Sequence, residues 1–252
     1  MNLAGLQRNW DLLGRADPLW AVLFDPAKRG NRWRPEEFFA TGRQEVARLL
    51  ADLERLGVRV HGGRALDFGC GAGRLTQALA EHFEQVDGVD IAPSMLALAE
   101  RSNRHGPRCR YHLNAREDLA LFGDGTFDLA CSLLVLQHVE RRYARGYLAE
   151  LLRVLRPGGV LVVGLPSHPR PTLRGRLFAL LPNRVLNLWR RLRYRHLGVM
   201  ELHGMRREQV VALLRAAGGR IIEVASDDAV GRDWQAYRYV AVRRQPQSQR
   251  EP

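Results

Sequence analysis

The sharpest chemical feature of this 252-residue chain is a glycine-rich bend, Leu66-Asp67-Phe68-Gly69-Cys70-Gly71-Ala72-Gly73-Arg74. It lies between a short apolar run and a stretch of helical spacing. Glycines there permit positive φ and close approach of a ligand to the backbone. The helix that follows would present N–H groups suited to an anion such as a carboxylate. In the next apolar run, Val86-Asp87-Gly88-Val89-Asp90, an acidic residue stands 21 positions beyond Gly69. Three kinds of site use such a bend. A dinucleotide fingerprint needs its third glycine where Arg74 stands, and here that glycine comes one position early, at Gly73. A phosphate loop needs Gly-Lys-Ser/Thr, which is missing. A nucleoside loop without phosphate needs only the bend and an acid able to accept from both ribose hydroxyls, the part Asp90 could play. The bland alternative is a tight turn beside a solvated carboxylate.

Histidines supply the candidate bases. Gln137-His138 follows Leu133-Leu134-Val135-Leu136 at the carboxyl end of a strand, where open α/β sheets bind ligands. His138 is the first candidate; a hydrogen-bonded histidine that shapes the pocket is the alternative. His168, behind Gly164-Leu165-Pro166-Ser167, and His203 flank the insertion and come second, as substrate contacts or else as surface or helix-terminal histidines. The acidic pair Asp227–Asp228 has no obvious third ligand and reads as a strand cap, so no metal site is expected.

The elements that must position these groups follow from periodicity. Asn9–Phe24 and Arg34–Leu56 place apolar residues at helical spacing, with Pro35 suited to a first turn. From Arg64 the rhythm changes. Strands are expected at Ala65–Phe68, Gln85–Asp90, Arg110–Leu113, Phe127–Leu133 and Val160–Gly164. Helices are expected at Arg74–His82, Ser94–Arg101 and Arg142–Leu155. A helix at Glu208–Ala217 and strands at Ile221–Ala225 and Gln235–Val242 close the pattern. This alternation predicts a parallel sheet covered on both faces. The units expected are an N-terminal helical segment over the cleft (1–62), a core (63–164), an Arg-rich helical insertion (165–205), the completion of the sheet (206–243) and a frayed tail (244–252).

Composition sets outer limits. With 46% hydrophobic and 26% charged residues, the chain is globular rather than disordered. No apolar run approaches the ~20 residues of a spanning helix, and the polar start of the chain lacks the apolar core of a signal peptide. Cys70, Cys109 and Cys131 fit neither a disulfide framework nor a zinc spacing, so reduced thiols and a cytoplasmic location are expected. The net charge of +12 is local: residues 165–200 hold 8 Arg and no acid, whereas residues 64–164 hold 12 basic and 12 acidic groups. Leu173, Leu177, Phe178, Leu181, Val185, Leu188, Trp189 and Leu192 interleave with those arginines at helical spacing. That pattern suits an acceptor-site lid with a solvated Arg face, or peripheral membrane contact through 172–197. No recognisable RNA-binding module accompanies it, so nucleic acid is not the expected partner.

Ala65 to about Gly164 resembles the class I S-adenosylmethionine-dependent methyltransferases. Asp67-Phe-Gly69-Cys-Gly71-Ala-Gly73 resembles their first motif, and Asp90 matches the ribose-binding acid. Leu113-Asn114-Ala115-Arg116-Glu117-Asp118-Leu119 is similar to the segment that meets adenine. Phe127-Asp128-Leu129-Ala130-Cys131-Ser132 is similar to the strand below the methyl group, and Leu151–Gly159 to the helix and turn before the fifth strand. Many members have Asp where Asn114 stands; the Asn carbonyl oxygen can still accept from an amino group.

The resemblance implies a Rossmann-like, seven-stranded, mostly parallel sheet with helices on both faces. It further implies an N-terminal helical lid and a basic helical insertion before the last helix–hairpin. It implies S-adenosylmethionine as cofactor, held by Asp67, Gly69, Cys70, Gly71, Gly73, Asp90, Ile91, Asn114, Ala115, Arg116 and Ser132. Gln137, His138, His168, His203 and Trp33 would face the acceptor, and Trp33, Phe39 and Gly42 could border the cofactor, the alternative being aromatics that pack the N-terminal helices onto the core. The implied activity is methyl transfer to a small molecule, at an oxygen of a specialised metabolite or glycan intermediate. A lipid or quinone-like acceptor at a membrane surface, and a non-catalytic cofactor-binding protein, are the alternatives. A Rossmann oxidoreductase is disfavoured by Gly73 and Arg74.

Overall fold

A computed structural model describes residues 1–172 and 200–245. The strands are β1 (Arg64–Phe68), β2 (Gln85–Asp90), β3 (Cys109–Leu113), β4 (Phe127–Ser132), β5 (Leu155–Pro169), β6 (Gly219–Asp227) and β7 (Trp234–Arg243). They form one seven-stranded sheet in the order β3-β2-β1-β4-β5-β7-β6. β3 to β5 pair in parallel, and β7 runs antiparallel between β5 and β6. This is the Rossmann-like sheet expected from the sequence. The chain passes from β1 to β2 on one side and returns to β4 on the other. That reversal opens a crevice at the carboxyl ends of β1 and β4.

The helices are α1 (Leu3–Ala16), α2 (Pro18–Val22), α3 (Pro35–Arg55), α4 (Arg74–Leu79), α5 (Pro93–Arg101), α6 (Arg141–Val154) and α7 (Arg207–Ala216). Strand alternation divides the core into two layers. Leu66, Ala130, Leu161 and Val163 face Tyr147, Leu148 and Leu151 of α6. Ala65, Leu129, Val160 and Val162 face Leu75 and Leu79 of α4 and Val46, Leu49 and Leu53 of α3. Burial of those three α3 side chains alone favours docking by roughly 5–9 kcal/mol before ordering entropy.

Several boundaries differ from the sequence expectation. The first helical stretch is two helices, because Pro18 cannot donate into a continuing ladder and Asp17 takes φ −155° between them. α1 starts early, since the Asn2 side chain accepts from Gly5 N at 2.9 Å and caps it. α4 stops at Leu79, short of His82. β5 runs past Gly164 to Pro169, because β7 supplies ladder partners as far as Trp234. Most of the Arg-rich stretch expected at 172–197, and the tail beyond residue 245, lie outside the described residues.

Contacts between elements fix what surrounds the crevice. Ser94 N and Oγ both donate to Asp11, joining α1 to the first turn of α5. Gly42 lets α3 cross α4, since a Cβ there would collide with the Arg74 carbonyl oxygen. Arg238 of β7 pairs with Glu45 of α3 at 2.5 Å. Across three neighbouring strands, Arg64 of β1 and His112 of β3 each meet the buried carboxylate of Asp87 of β2 at 2.7 Å.

Candidate functional site

The glycine bend leaves β1 and crosses the crevice. Gly69 and Gly71 take φ +81° and +52°. A Cβ at Gly69 would collide with Val135, and one at Gly71 would stand 2.6 Å from Val22, so the bend is clamped between the segment after β4 and α2. Gly69 N and Cys70 N donate to Val89 O. α4 is only six residues long, so the anion-attracting helix start expected from the sequence is short.

The bend, the end of β2 and the segment after β4 enclose a cleft of about 890 Å³, its open mouth included. Asp67, Gly69, Cys70, Gly71, Asp90, Ile91 and Asn114 line it, with His138. α1 and α2 add Leu6, Trp10, Ala21 and Val22, while Met95 and Tyr147 complete an apolar wall.

Asp90 accepts from Gly71 N at 2.9 Å and from Ala92 N at 2.8 Å, one bond on each oxygen. Each oxygen keeps acceptor capacity for a second donor. Burial raises its pKa, and the backbone donors oppose that rise. Asp67 is 2% exposed and accepts from Thr76 Oγ1 at 2.7 Å. Burial pushes its pKa up to about 6 against that hydrogen bond. Burial also pushes the Cys70 and Cys131 thiols well up, with help from neighbouring carboxylates, so both stay neutral.

Not every expected residue reaches the cleft. Gly73 is turned towards Tyr111 Oη, 2.5 Å from where its Cβ would be. Ala115 and Arg116 are exposed, and Arg116 pairs with Asp118 at 3.1 Å. Ser132 is fully buried in β4, its Oγ without a hydrogen-bond partner among the described residues. Asn114 is at the cleft, but its Oδ1 accepts from Arg116 N and its Nδ2 donates to Asp118 O, so its amide braces its own loop. Trp33 lines no cavity described here; its Nε1 donates to Leu23 O and its ring packs on Phe38. Phe39 is likewise a packing partner of Phe38.

Beyond β4 the backbone turns sharply. Leu134 takes φ +63°, a left-handed conformation that costs a bulky residue roughly 1–2 kcal/mol. A short 3₁₀ turn, Leu136–His138, follows. The His138 ring stands edge-on to Trp10 at 5.1 Å. Its Nδ1 lies 2.7 Å from Glu201 O, which can only accept, so Nδ1 carries the proton and Nε2 is the basic nitrogen. The Gln137 amide Nε2 donates to that nitrogen at 3.2 Å. His203 meets Glu201 Oε2 at 3.1 Å, and exposed His168 meets Ser167 Oγ at 3.1 Å; neither lines the cleft.

A second cavity of about 810 Å³ adjoins the first, sharing Arg74, Leu133 and Leu134 with it. Gln137, Glu45, Arg48, Asp227 and Arg238 add its polar lining. Asp227 does cap the end of β6, accepting from Ala229 N, but it also faces this cavity. Sequence reasoning missed Glu45, Arg238 and the role of Arg74. No sequence signal marked Arg74, because the burial of α4 along its whole length is seen only in the structure.

Residues 66–163 match the family model described as a methyltransferase domain. A demethylmenaquinone methyltransferase of Tropheryma whipplei is 37% identical over 120 residues, covering 48% of this chain and 48% of that protein. A ubiquinone biosynthesis O-methyltransferase of Xanthomonas euvesicatoria is 33% identical over 140 residues, covering 54% and 56%. The chain thus spans about half the length of the curated relatives it matches. Among solved structures, magnesium protoporphyrin IX methyltransferase from Synechocystis, with bound SAH (S-adenosylhomocysteine), superposes with a TM-score of 0.64 at 19% identity. That superposition covers 94% of this chain and 98% of the other, and shows a shared fold.

Proposed function

We propose that this chain transfers a methyl group from S-adenosylmethionine to an oxygen of a small-molecule acceptor, a reading supported by the match of residues 66–163 to the model of a methyltransferase domain. The observation that carries the reading is the meeting of two cavities at Leu133–Leu134. One holds the glycine bend and Asp90; the other has room for a second molecule.

The first cleft fits the nucleoside. Asp90 keeps an acceptor site on each oxygen for the ribose hydroxyls, and Ile91 and Met95 offer apolar contact to the base. The donor supplies a methyl already activated on a sulfonium. The protein's part is mainly to hold the acceptor oxygen in line at near-attack distance and to exclude water. Trp10, Leu6 and Val22 shield the cleft for that purpose. His138 is the group to take a hydroxyl proton. The carbonyl of Glu201 fixes its tautomer, and an incoming hydroxyl would replace the Gln137 amide at Nε2.

A quinone-like acceptor is the second reading. The names of the curated relatives favour it, and Leu133, Leu134 and Leu165 give the second cavity apolar walls. Among the described residues no helix is long and apolar enough to cross a membrane.

Calorimetry with SAH tests the donor site, and SAH release on addition of a panel of phenols and reduced quinones tests the transfer. Absence of SAH binding by the intact chain would remove the proposal; binding without release for any acceptor would reduce it to a cofactor-binding protein.

A further inference from the structure

Arg74 is an arginine buried without a carboxylate. It is 7% exposed, and its guanidinium makes one side-chain hydrogen bond, Nη1 to Thr41 Oγ1 at 3.3 Å. No described carboxylate lies within ion-pair distance of it. The two acids that act on it from further off are otherwise engaged. Asp67 accepts from Thr76, and Glu45 is paired with Arg238 at 2.5 Å and with Arg48 at 3.5 Å. Asp227, the other acid of the second cavity, faces Arg238 at 3.5 Å. The acids of this cavity are thus matched to Arg238 and Arg48, while Arg74 has no ion-pair partner among the described residues and feels Asp67 and Glu45 only from further off. A buried guanidinium in that state is unfavourable unless an anion completes it.

A second orphan stands in the same cavity. Gln137 is 6% exposed; its Nε2 donates to His138, and its Oε1 is buried without a partner among the described residues. That carbonyl oxygen is an acceptor waiting for a donor. Leucines 23, 133, 134 and 165 wall the rest. Among the described residues the lining therefore combines one cation without an ion-pair partner, one acceptor without a donor, and apolar sides.

We infer that the second cavity binds a methyl acceptor bearing a carboxylate, which pairs with Arg74, and a hydrogen-bond donor for Gln137 Oε1 in addition to the hydroxyl that meets His138. Such an acceptor is an amphipathic hydroxy acid rather than a neutral quinone or an uncharged sugar. The inference rests on the reading of the first cleft as the donor site. A planar guanidinium matches a carboxylate with two parallel hydrogen bonds, which gives orientation as well as affinity.

The test uses the full chain saturated with SAH and titrated with benzoate or with its neutral analogue benzamide. Benzoate is expected to bind at least ~10-fold more tightly than benzamide, and Arg74→Gln to weaken benzoate by roughly 10–100-fold, more than it weakens SAH, whose cleft Arg74 also borders. Arg74→Lys should keep most of the discrimination. Equal or undetectable binding of the two probes by the SAH-loaded protein overturns the inference, as does unaltered benzoate affinity in Arg74→Gln. If Arg74→Gln instead weakens SAH and leaves the benzoate preference intact, Arg74 belongs to the donor. Should Arg74→Gln not fold, the Arg74 Nε–H resonance of the wild-type chain decides: it must move with benzoate and not with benzamide. Failure of the wild-type chain to bind SAH at all is a different result, and removes the donor-site reading first.

Discussion

Asp90 and His138 divide the chemistry of the cleft between a carboxylate that binds and an imidazole that accepts a proton. Asp90→Asn keeps the side-chain shape and one acceptor oxygen but removes the charge. Hydrogen bonds to a charged group contribute about 1.5–3 kcal/mol, so SAH affinity should fall roughly 10–100-fold by calorimetry. Undiminished affinity would take Asp90 out of the ribose site. His138→Ala should leave SAH affinity unchanged and lower turnover ~10²–10⁴-fold, read as SAH release with a competent acceptor. Near-normal turnover would leave His138 as a packing partner of Trp10. The glycine bend, Asp90 and His138 were legible because their spacing ties them to strand ends, whereas Asp67 and Ile91 came with the family resemblance. The Asn114 amide was not. Sequence shows that an amide is present, but not that Arg116 N and Asp118 O engage it. Arg74 was read only as a missing glycine, because its significance lies in the partners it lacks.

Elements depend on a few close approaches that sequence does not advertise. The residues of α3 that face inward, Phe38, Gly42, Val46, Leu49 and Leu53, follow a helical stripe, so the helix itself was plain. That Gly42 is the point where α3 touches the backbone of Arg74 was not. Gly42→Ala improves helix propensity by roughly 1 kcal/mol, yet places a methyl against a carbonyl oxygen that has nowhere to move. Overpacking of this kind costs about 1–3 kcal/mol, so the variant should lose net stability in urea titration despite the better helix former. A gain in stability would mean that α3 slides freely over α4. The same alternation of apolar residues gave the strands of the sheet but not the length of β5. Its extension to Pro169 depends on β7, whose Trp234, 65 residues later in the chain, is the partner of Pro169.

At the scale of the whole molecule, two buried carboxylates on adjacent strands, Asp67 of β1 and Asp87 of β2, pull the pH dependence of stability in opposite directions. At Asp87 burial favours the neutral acid, but hydrogen bonds from His112 and Arg64 outweigh it and hold the pKa below the ordinary value. The contribution of Asp87 is therefore complete above the unfolded-state pKa of about 3.9 and is lost as pH falls through its lower folded value. At Asp67 burial wins and the folded pKa stands at about 6. The native state then holds a proton that the unfolded chain has released between pH ~4 and ~6, so stability falls as pH rises through that window. For a pKa raised from 3.8 to about 6, the loss is on the order of 3 kcal/mol. Asp67→Asn removes that titration while leaving an oxygen for Thr76 Oγ1. The variant should be more stable than wild type in urea at pH 7, and the two should converge near pH 4. An unchanged profile between pH 4 and 6 would mean that the Asp67 carboxylate is solvated after all. Because Asp67 also lines the donor cleft, the stabilised variant should bind SAH more weakly, as expected where a site keeps a buried charge at the expense of stability.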